Sequence, residues 1–377
     1  MTVWLVLLVW ATLVAILLRT RTAIPYGVAQ SARRYGFVVM SHSELRARVT
    51  VGVLSIIAVA PLVFLLAVRQ DVGTDYLVYV EMFDRFRVGA ALPWIEPLYG
   101  LLNRTMAPLG SSGVIAVFAA SAALSALPLF YRVFRSSPMP WLGVLILFGL
   151  GLPFFMTNGM RSAIAIGIVM LVLPALWRRQ LAVWTLGILL AAGFHFTALL
   201  VWPLYWILHR AWPRILALIG LAVAVMFSMN RGIAVNVLQW IPVVLPSNYA
   251  PYPDRVLERL DDYQYGFGYL IYLGLVCLIL IVWNRAQNEG REVLVFRNTS
   301  MFGLLMVIGL YQFWAVNRLG LFFIPALAVF LPWVVMRCAA HQERVHWAAG
   351  LAALFGLMFA RGLWSGAHDA VPYQWVF

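Results

Sequence analysis

Residues 181–208 read LAVWTLGILLAAGFHFTALLVWPLYWIL, 28 positions without a charged side chain. As one straight α-helix they would extend about 42 Å, against a hydrocarbon core of about 30 Å. Arg178 and Arg179 precede the stretch, and Arg210 and Arg214 follow it. Cytoplasmic loops attract arginine, so both ends are expected on the inner side of a membrane, with the chain turning round inside it. The reading is two helices of about 14 residues, each about 21 Å long, meeting near Gly193, Phe194 and His195. Such an apex falls short of the outer surface, and its backbone must face protein or water because hydrocarbon satisfies no N–H or C=O group.

The rest of the chain is of the same kind. Of 377 residues, 63% are hydrophobic and 11% charged, and the mean hydropathy is +0.89. Soluble domains carry about 25% charge, so an ordinary soluble enzyme is excluded. Further crossings are predicted at Val3 to Leu18, Val49 to Val68, Gly113 to Phe134, Trp141 to Phe155, Met160 to Trp177, Trp212 to Met229, Gly268 to Trp283, Thr299 to Val316, Leu319 to Met336 and Trp347 to Ala360. With the broken pair they give an all-α, polytopic membrane protein: a single transmembrane domain over 1–377 with about twelve membrane helices and both termini outside. The apolar run at the N-terminus lacks a preceding positive segment, which predicts an anchor and not a cleaved signal peptide.

The charges agree with that layout. Predicted inner loops hold 17 arginines and four acids, and outer segments hold 10 of each, so the whole net charge of +13 falls inside. Positive-inside bias therefore accounts for the basic excess, and no nucleic-acid partner is expected. The chain has no lysine, so arginine at a given position is not a choice against lysine. Two cysteines, Cys277 and Cys338, are too few for a disulfide framework or structural zinc site. No phosphate-binding loop, dinucleotide fingerprint, HExxH or nucleophile elbow occurs, and no metal or cofactor is expected. Adjacent Asp261 and Asp262 read as solvated loop acids.

Two predicted outer segments have room for chemistry: 69–112, with an amphipathic helix, and 230–267. In the first, Tyr76, Tyr79, Phe83 and Phe86 recur at 3, 4, 3 spacing, the stripe of a helix lying at headgroup depth. Asp75 and Tyr79 share the edge of that stripe. Asp75 either caps the helix or acts as a carboxylate that accepts a proton from a sugar hydroxyl. In the second, Trp240, Tyr249, Tyr252, Tyr263 and Tyr265 suit stacking on sugar rings or an interfacial aromatic belt.

Thr157-Asn158-Gly159-Met160-Arg161 marks an outer turn, with Arg161 in the first turn of the next helix. A guanidinium there opposes both the macrodipole and the positive-inside bias. Arg318, after Asn317 at another predicted outer helix start, breaks the same two rules. Free backbone N–H groups plus a guanidinium make a phosphate cradle; the alternatives are snorkelling to headgroups or pairing with a carboxylate. Arg69 ends a helix, where the dipole welcomes it. His195 is the only histidine within an apolar stretch at membrane depth, where an ionisable group is a functional candidate; a neutral imidazole satisfied by a carbonyl is its competitor.

Taken in order, Arg69 with Val72-Gly73-Thr74-Asp75-Tyr76 and Tyr79, then Glu96-Pro97-Leu98, Asn158 to Arg161 with Ala165, His195-Phe196-Thr197, Asn317-Arg318 and Val371-Pro372-Tyr373 resemble the EpsG-type polysaccharide polymerases, relatives of the Wzy polymerases of O-antigen and exopolysaccharide assembly. The resemblance runs from about Arg69 onward. It implies a GT-C-like glycosyltransferase of the bacterial inner membrane that joins undecaprenyl-diphosphate-linked oligosaccharide repeats at the periplasmic face, among membrane lipids and with a chain-length regulator as a possible partner. Under it, Arg69, Arg161, Arg318, Asn158, Tyr76, Tyr79 and Asn317 bind substrate, and Asp75, His195 or Glu96 activates the acceptor hydroxyl. A flippase or exporter of the same lipid-linked sugar and an O-antigen ligase are the alternatives. A transporter would line a midplane path with its ionisable groups, whereas here they gather outside apart from His195.

Overall fold

A computed structural model of the chain describes residues 1–21, 42–230, 232, 236 and 265–374. Among these residues the regular structure is helical and contains no β-strand. Long uncharged runs favour this outcome, since a helix satisfies its backbone groups within one segment. Six helical stretches are long and apolar enough to cross a membrane: Glu44–Ala67, Pro97–Ser136, Met160–Trp177, Arg291–Gly309, Arg318–Arg337 and His341–Trp364. Pro140–Gly149 and Leu152–Asn158 make a seventh if the pair, bent by 48°, counts as one span. Shorter apolar helices cover Thr2–Leu18, Leu181–Phe194, Phe196–Leu208, Arg214–Met229 and Phe267–Ile281.

The chain divides into two compact units. The first comprises 1–91, 100–167 and 331–377. Here His42–Ala67 packs along Gly113–Ser136, and Pro140–Gly149 packs against both Thr2–Arg21 and Arg344–Trp364. A Cβ on Gly149 would lie 2.5 Å from the carbonyl oxygen of Phe355, so these two helices touch backbone to backbone. Phe154 and Phe359 stack nearby at 5.4 Å.

The second unit comprises 92–99 and 168–330. Arg291–Gly309 is its central helix, packed by Arg214–Met229, Phe267–Ile281 and the short 3-10 turns Arg318–Phe322 and Ile324–Ala326. The 28-residue stretch breaks at His195, between the α-helix Leu181–Phe194 and the 3-10 segment Phe196–Leu204. Its two arms lie side by side: the Trp184 indole donates to the Trp202 carbonyl at 3.0 Å, and the Trp202 indole to Thr185 Oγ1 at 2.9 Å. Eighteen residues of continuous helix would hold Trp184 and Trp202 about 27 Å apart, so the stretch doubles back, as its charge-free length and flanks predict. The loop acids Asp254, Glu258, Asp261 and Asp262, and Trp240, Tyr249, Tyr252 and Tyr263 with them, lie outside the described residues.

Candidate active site

In the first unit three segments distant in sequence converge. The turn after His42–Ala67 runs through Arg69 to Gly73, whose φ of +101° suits glycine. A side chain there would also meet Asn158 Oδ1 at 2.7 Å and the Thr157 carbonyl at 2.9 Å. The Gly73 N–H donates to the Asp369 carbonyl at 3.0 Å, which joins the third segment, 366–374. That segment is fastened further by the Trp4 indole to the Ala370 carbonyl, 3.0 Å, by the Gln70 N–H to the Gln374 carbonyl, 3.1 Å, and by the Tyr373 hydroxyl to the Leu65 carbonyl.

The predicted amphipathic helix is Tyr76–Arg87, with Asp75 as its N-terminal flanking residue. Asp75 makes no side-chain cap bond, so the capping reading is not the one this geometry carries. The aromatic stripe differs from expectation in what it faces. Tyr79, Phe83 and Phe86 are buried within the protein, while Leu77, Val78 and Val88 are exposed. Periodicity reports that a helix has an apolar face; it does not say whether protein or lipid covers it.

Met160–Val172 begins at the 157–161 turn, and Arg161 falls in its first turn as predicted. The Tyr79 hydroxyl accepts from the Arg161 backbone N–H and is hydrogen-bonded to its guanidinium. Burial pushes the Tyr79 phenol above the ordinary tyrosine range, Arg161 opposes the shift, and the nearby Asp75 carboxylate adds to it. Asp75, Tyr79 and Arg161 thus form one electrostatic group at a helix N-terminus. Arg69 is 1% exposed, donates to Met160 Sδ at 3.2 Å and lies 4.5 Å from the centre of the Phe118 ring. Tyr76 packs edge-on against Phe118, and its phenol is raised by burial and Asp71 while Arg69 opposes.

His368 is a residue that the sequence did not single out. Its Nδ1 accepts from Asn158 Nδ2 at 3.0 Å, and its ring meets Phe155 edge-on at 6.0 Å. Its φ of +61° is unusual for a residue with a Cβ. Outside the apolar runs a histidine has no local signal; only the proximity of the Val371-Pro372-Tyr373 motif pointed to this segment.

In the second unit, His195 Nδ1 lies 3.0 Å from Glu96 Oε1, and the Phe196 N–H donates to the same oxygen at 3.4 Å. The Glu96 side chain is 2% exposed and that of His195 21%. A buried carboxylate accepting from Nδ1–H fixes the tautomer and leaves Nε2 with a lone pair. The competing arrangement, an imidazole satisfied by a carbonyl, is not what the side chain makes. Arg318 is half-buried and opens the Arg318–Phe322 turn, against which Phe196–Leu204 packs. Asn317 ends the short helix Trp314–Asn317, and Arg318 opens the spanning-length stretch Arg318–Arg337 directly after it.

Of the predicted site residues, Arg69, Asp75, Tyr76, Tyr79, Asn158 and Arg161 gather in the first unit, and Glu96, His195, Asn317 and Arg318 belong to the second. No group of three or more metal-ligating side chains occurs among the described residues. The EpsG family model matches residues 52–375. The chain belongs to the EpsG family. No curated protein and no solved structure matches it. Membership of the EpsG family and the spanning-length helices together mark a membrane protein with a polysaccharide-polymerase type of activity.

Proposed function

We propose that this EpsG-family protein is a GT-C-like glycosyltransferase of the inner membrane, with about twelve membrane segments, that polymerises undecaprenyl-diphosphate-linked oligosaccharide repeats at the periplasmic face. Nucleotide sugars and ATP are absent there, so the donor must bring its own leaving group, and a lipid diphosphate is one. Arg161 binds that diphosphate and stabilises the charge that develops on it as the glycosidic bond breaks. Tyr79 holds the guanidinium in place. Arg318 is the second diphosphate-binding candidate, with Asn317 and Asn158 as polar neighbours of the two arginines in sequence. Arg69 acts from inside the protein, ordering Tyr76 and the 366–374 segment.

The acceptor hydroxyl must lose a proton, and diphosphate leaves as a stable anion that needs none. His195 Nε2 takes the proton, and buried Glu96 stabilises the imidazolium that results. The observation that carries this assignment is the Glu96–His195 pair at the break of an apolar hairpin. Asp75, with its carboxylate near the Tyr79 phenol, is left the electrostatic role. Strains carrying Arg161→Ala and Arg318→Ala test the leaving-group assignment by chain-length profile; wild-type polymer from both would refute it. A deletion strain should accumulate single lipid-linked repeats, and purified protein should lengthen glycan chains without an ion gradient. Failure of the second experiment would favour a flippase.

A further inference from the structure

At the open end of the 181–208 hairpin lies a cleft of about 390 Å³, lined by Arg179, His209, Arg210, Gln287, Asn288 and Arg291 among others. All of these belong to the second unit. Three guanidinium groups line it and no carboxylate does. Glu289 and Glu292 are neighbours in sequence but not part of the lining, and among the described residues no carboxylate is ion-paired with Arg179, Arg210 or Arg291. The three side chains are exposed, so like charges stand around open space with nothing from the described chain to neutralise them.

Two further features raise the positive potential. The 19-residue helix Arg291–Gly309 starts at the cleft, with Gly290 as its flanking residue at φ +123°. Its first amides have no partner in the helix, because the earliest internal bond runs from the Leu294 N–H to the Gly290 carbonyl at 3.1 Å. In the same helix, Arg297 is 0% exposed and is held by neutral groups alone. It donates to the Trp283 carbonyl at 3.0 Å and to Asn298 Oδ1 at 2.9 Å, with its charge 3.8 Å from the Trp283 ring. Asn298 Nδ2 in turn donates to the carbonyls of Leu208, 2.9 Å, and Arg210, 2.8 Å. The buried cation is thereby part of the scaffold that pins the His209–Arg210 wall of the cleft to the helix.

We infer that this cleft is a binding site for a phosphate-bearing anion, separate from the chemistry at His195. One hairpin arm, about 21 Å of helix, lies between the two, so the bound group does not touch the reacting atoms. Guanidinium forks and a helix N-terminus match phosphate oxygens in geometry as well as charge. The anion is either the headgroup of an anionic phospholipid or a soluble phosphate compound; both present the same oxygens.

The experiment uses full-length protein carrying Arg161→Ala and Arg318→Ala, so that neither proposed diphosphate-binding arginine contributes signal. Binding of inorganic pyrophosphate is measured in detergent, and retention of phosphatidylglycerol over phosphatidylcholine is measured by native mass spectrometry from nanodiscs. Either ligand should bind saturably, and adding Arg179→Gln, Arg210→Gln and Arg291→Gln should weaken it about tenfold or more. Arg210→Gln alone, at an exposed position, should give a smaller loss without altering the melting profile. Pyrophosphate binding without lipid preference identifies a soluble ligand, and the reverse identifies the headgroup. No saturable binding of either, or binding indifferent to the triple substitution, overturns the inference.

Discussion

The two groups of candidate site residues are built in opposite ways. In the first unit Asp75, Tyr79, Asn158, Arg161 and His368 come from three segments, and backbone contacts hold them: a Gly73 that admits no Cβ, an Arg161 amide bonded to a phenol, a 366–374 segment tied down at several carbonyls. In the second unit a single apolar stretch is broken once, and one buried carboxylate holds the imidazole at the break. The first arrangement fixes a guanidinium, the second an imidazole. A guanidinium is charged at any working pH and needs only positioning, whereas an imidazole needs a partner that decides which nitrogen carries the proton.

The contrast can be broken most directly at the base. His195→Ala should lower the polymerisation rate by about 10²–10⁴-fold. Glu96→Gln should cost less, because an amide oxygen still accepts from Nδ1–H while the charge is gone. Initial rates on lipid-linked repeats measure both, and a Glu96→Gln enzyme as slow as His195→Ala would mean that Glu96 itself takes the proton. Next, Arg161→Ala should cost about 10²–10³-fold, the loss expected for a donor to developing negative charge. Conservative Arg161→Lys should recover only part of it if the guanidinium fork matters.

Backbone construction predicts its own, smaller effect. Gly73→Ala should destabilise the protein by about 1–2 kcal/mol from the backbone conformation alone, with more from the contact at Asn158. Thermal unfolding in detergent reads this, and an unchanged melting curve would mean the 69–76 turn is not held as described. Tyr79→Phe, which removes the hydroxyl's bonds to the Arg161 amide and guanidinium, should have the smallest effect on activity at neutral pH and cost about 1–3 kcal/mol of stability. Its signature is at high pH. The folded-state pKa of Tyr79 is raised above the ordinary 10.0, so the stability it contributes is complete below pH 10 and is lost as pH rises through the raised value. Tyr79→Phe should therefore flatten the alkaline limb of the stability profile and leave the limb below pH 10 in place.

The hairpin was legible because two independent quantities, an uncharged length and the arginines at both ends, allowed only one solution. The Tyr76–Arg87 helix was legible for a similar reason, its 3, 4, 3 spacing. What covers that helix was not, since burial against protein and burial in headgroups leave the same pattern. Glu96 was marked as a candidate, but its bond to His195 spans 99 positions, and no local spacing encodes such a contact. His368 was invisible for the converse reason: its importance lies in where the 366–374 segment is fastened. Arg318 shows a finer limit, in that the Trp314–Asn317 helix before it is too short for an apolar pattern to announce.

The break at His195 also governs bookkeeping of a topological kind. A hairpin returns a polypeptide to the leaflet it left, while an unbroken rod of the same 28 residues would deliver it to the other. Straightening that one joint would reverse the sidedness of everything threaded afterwards, including Arg318.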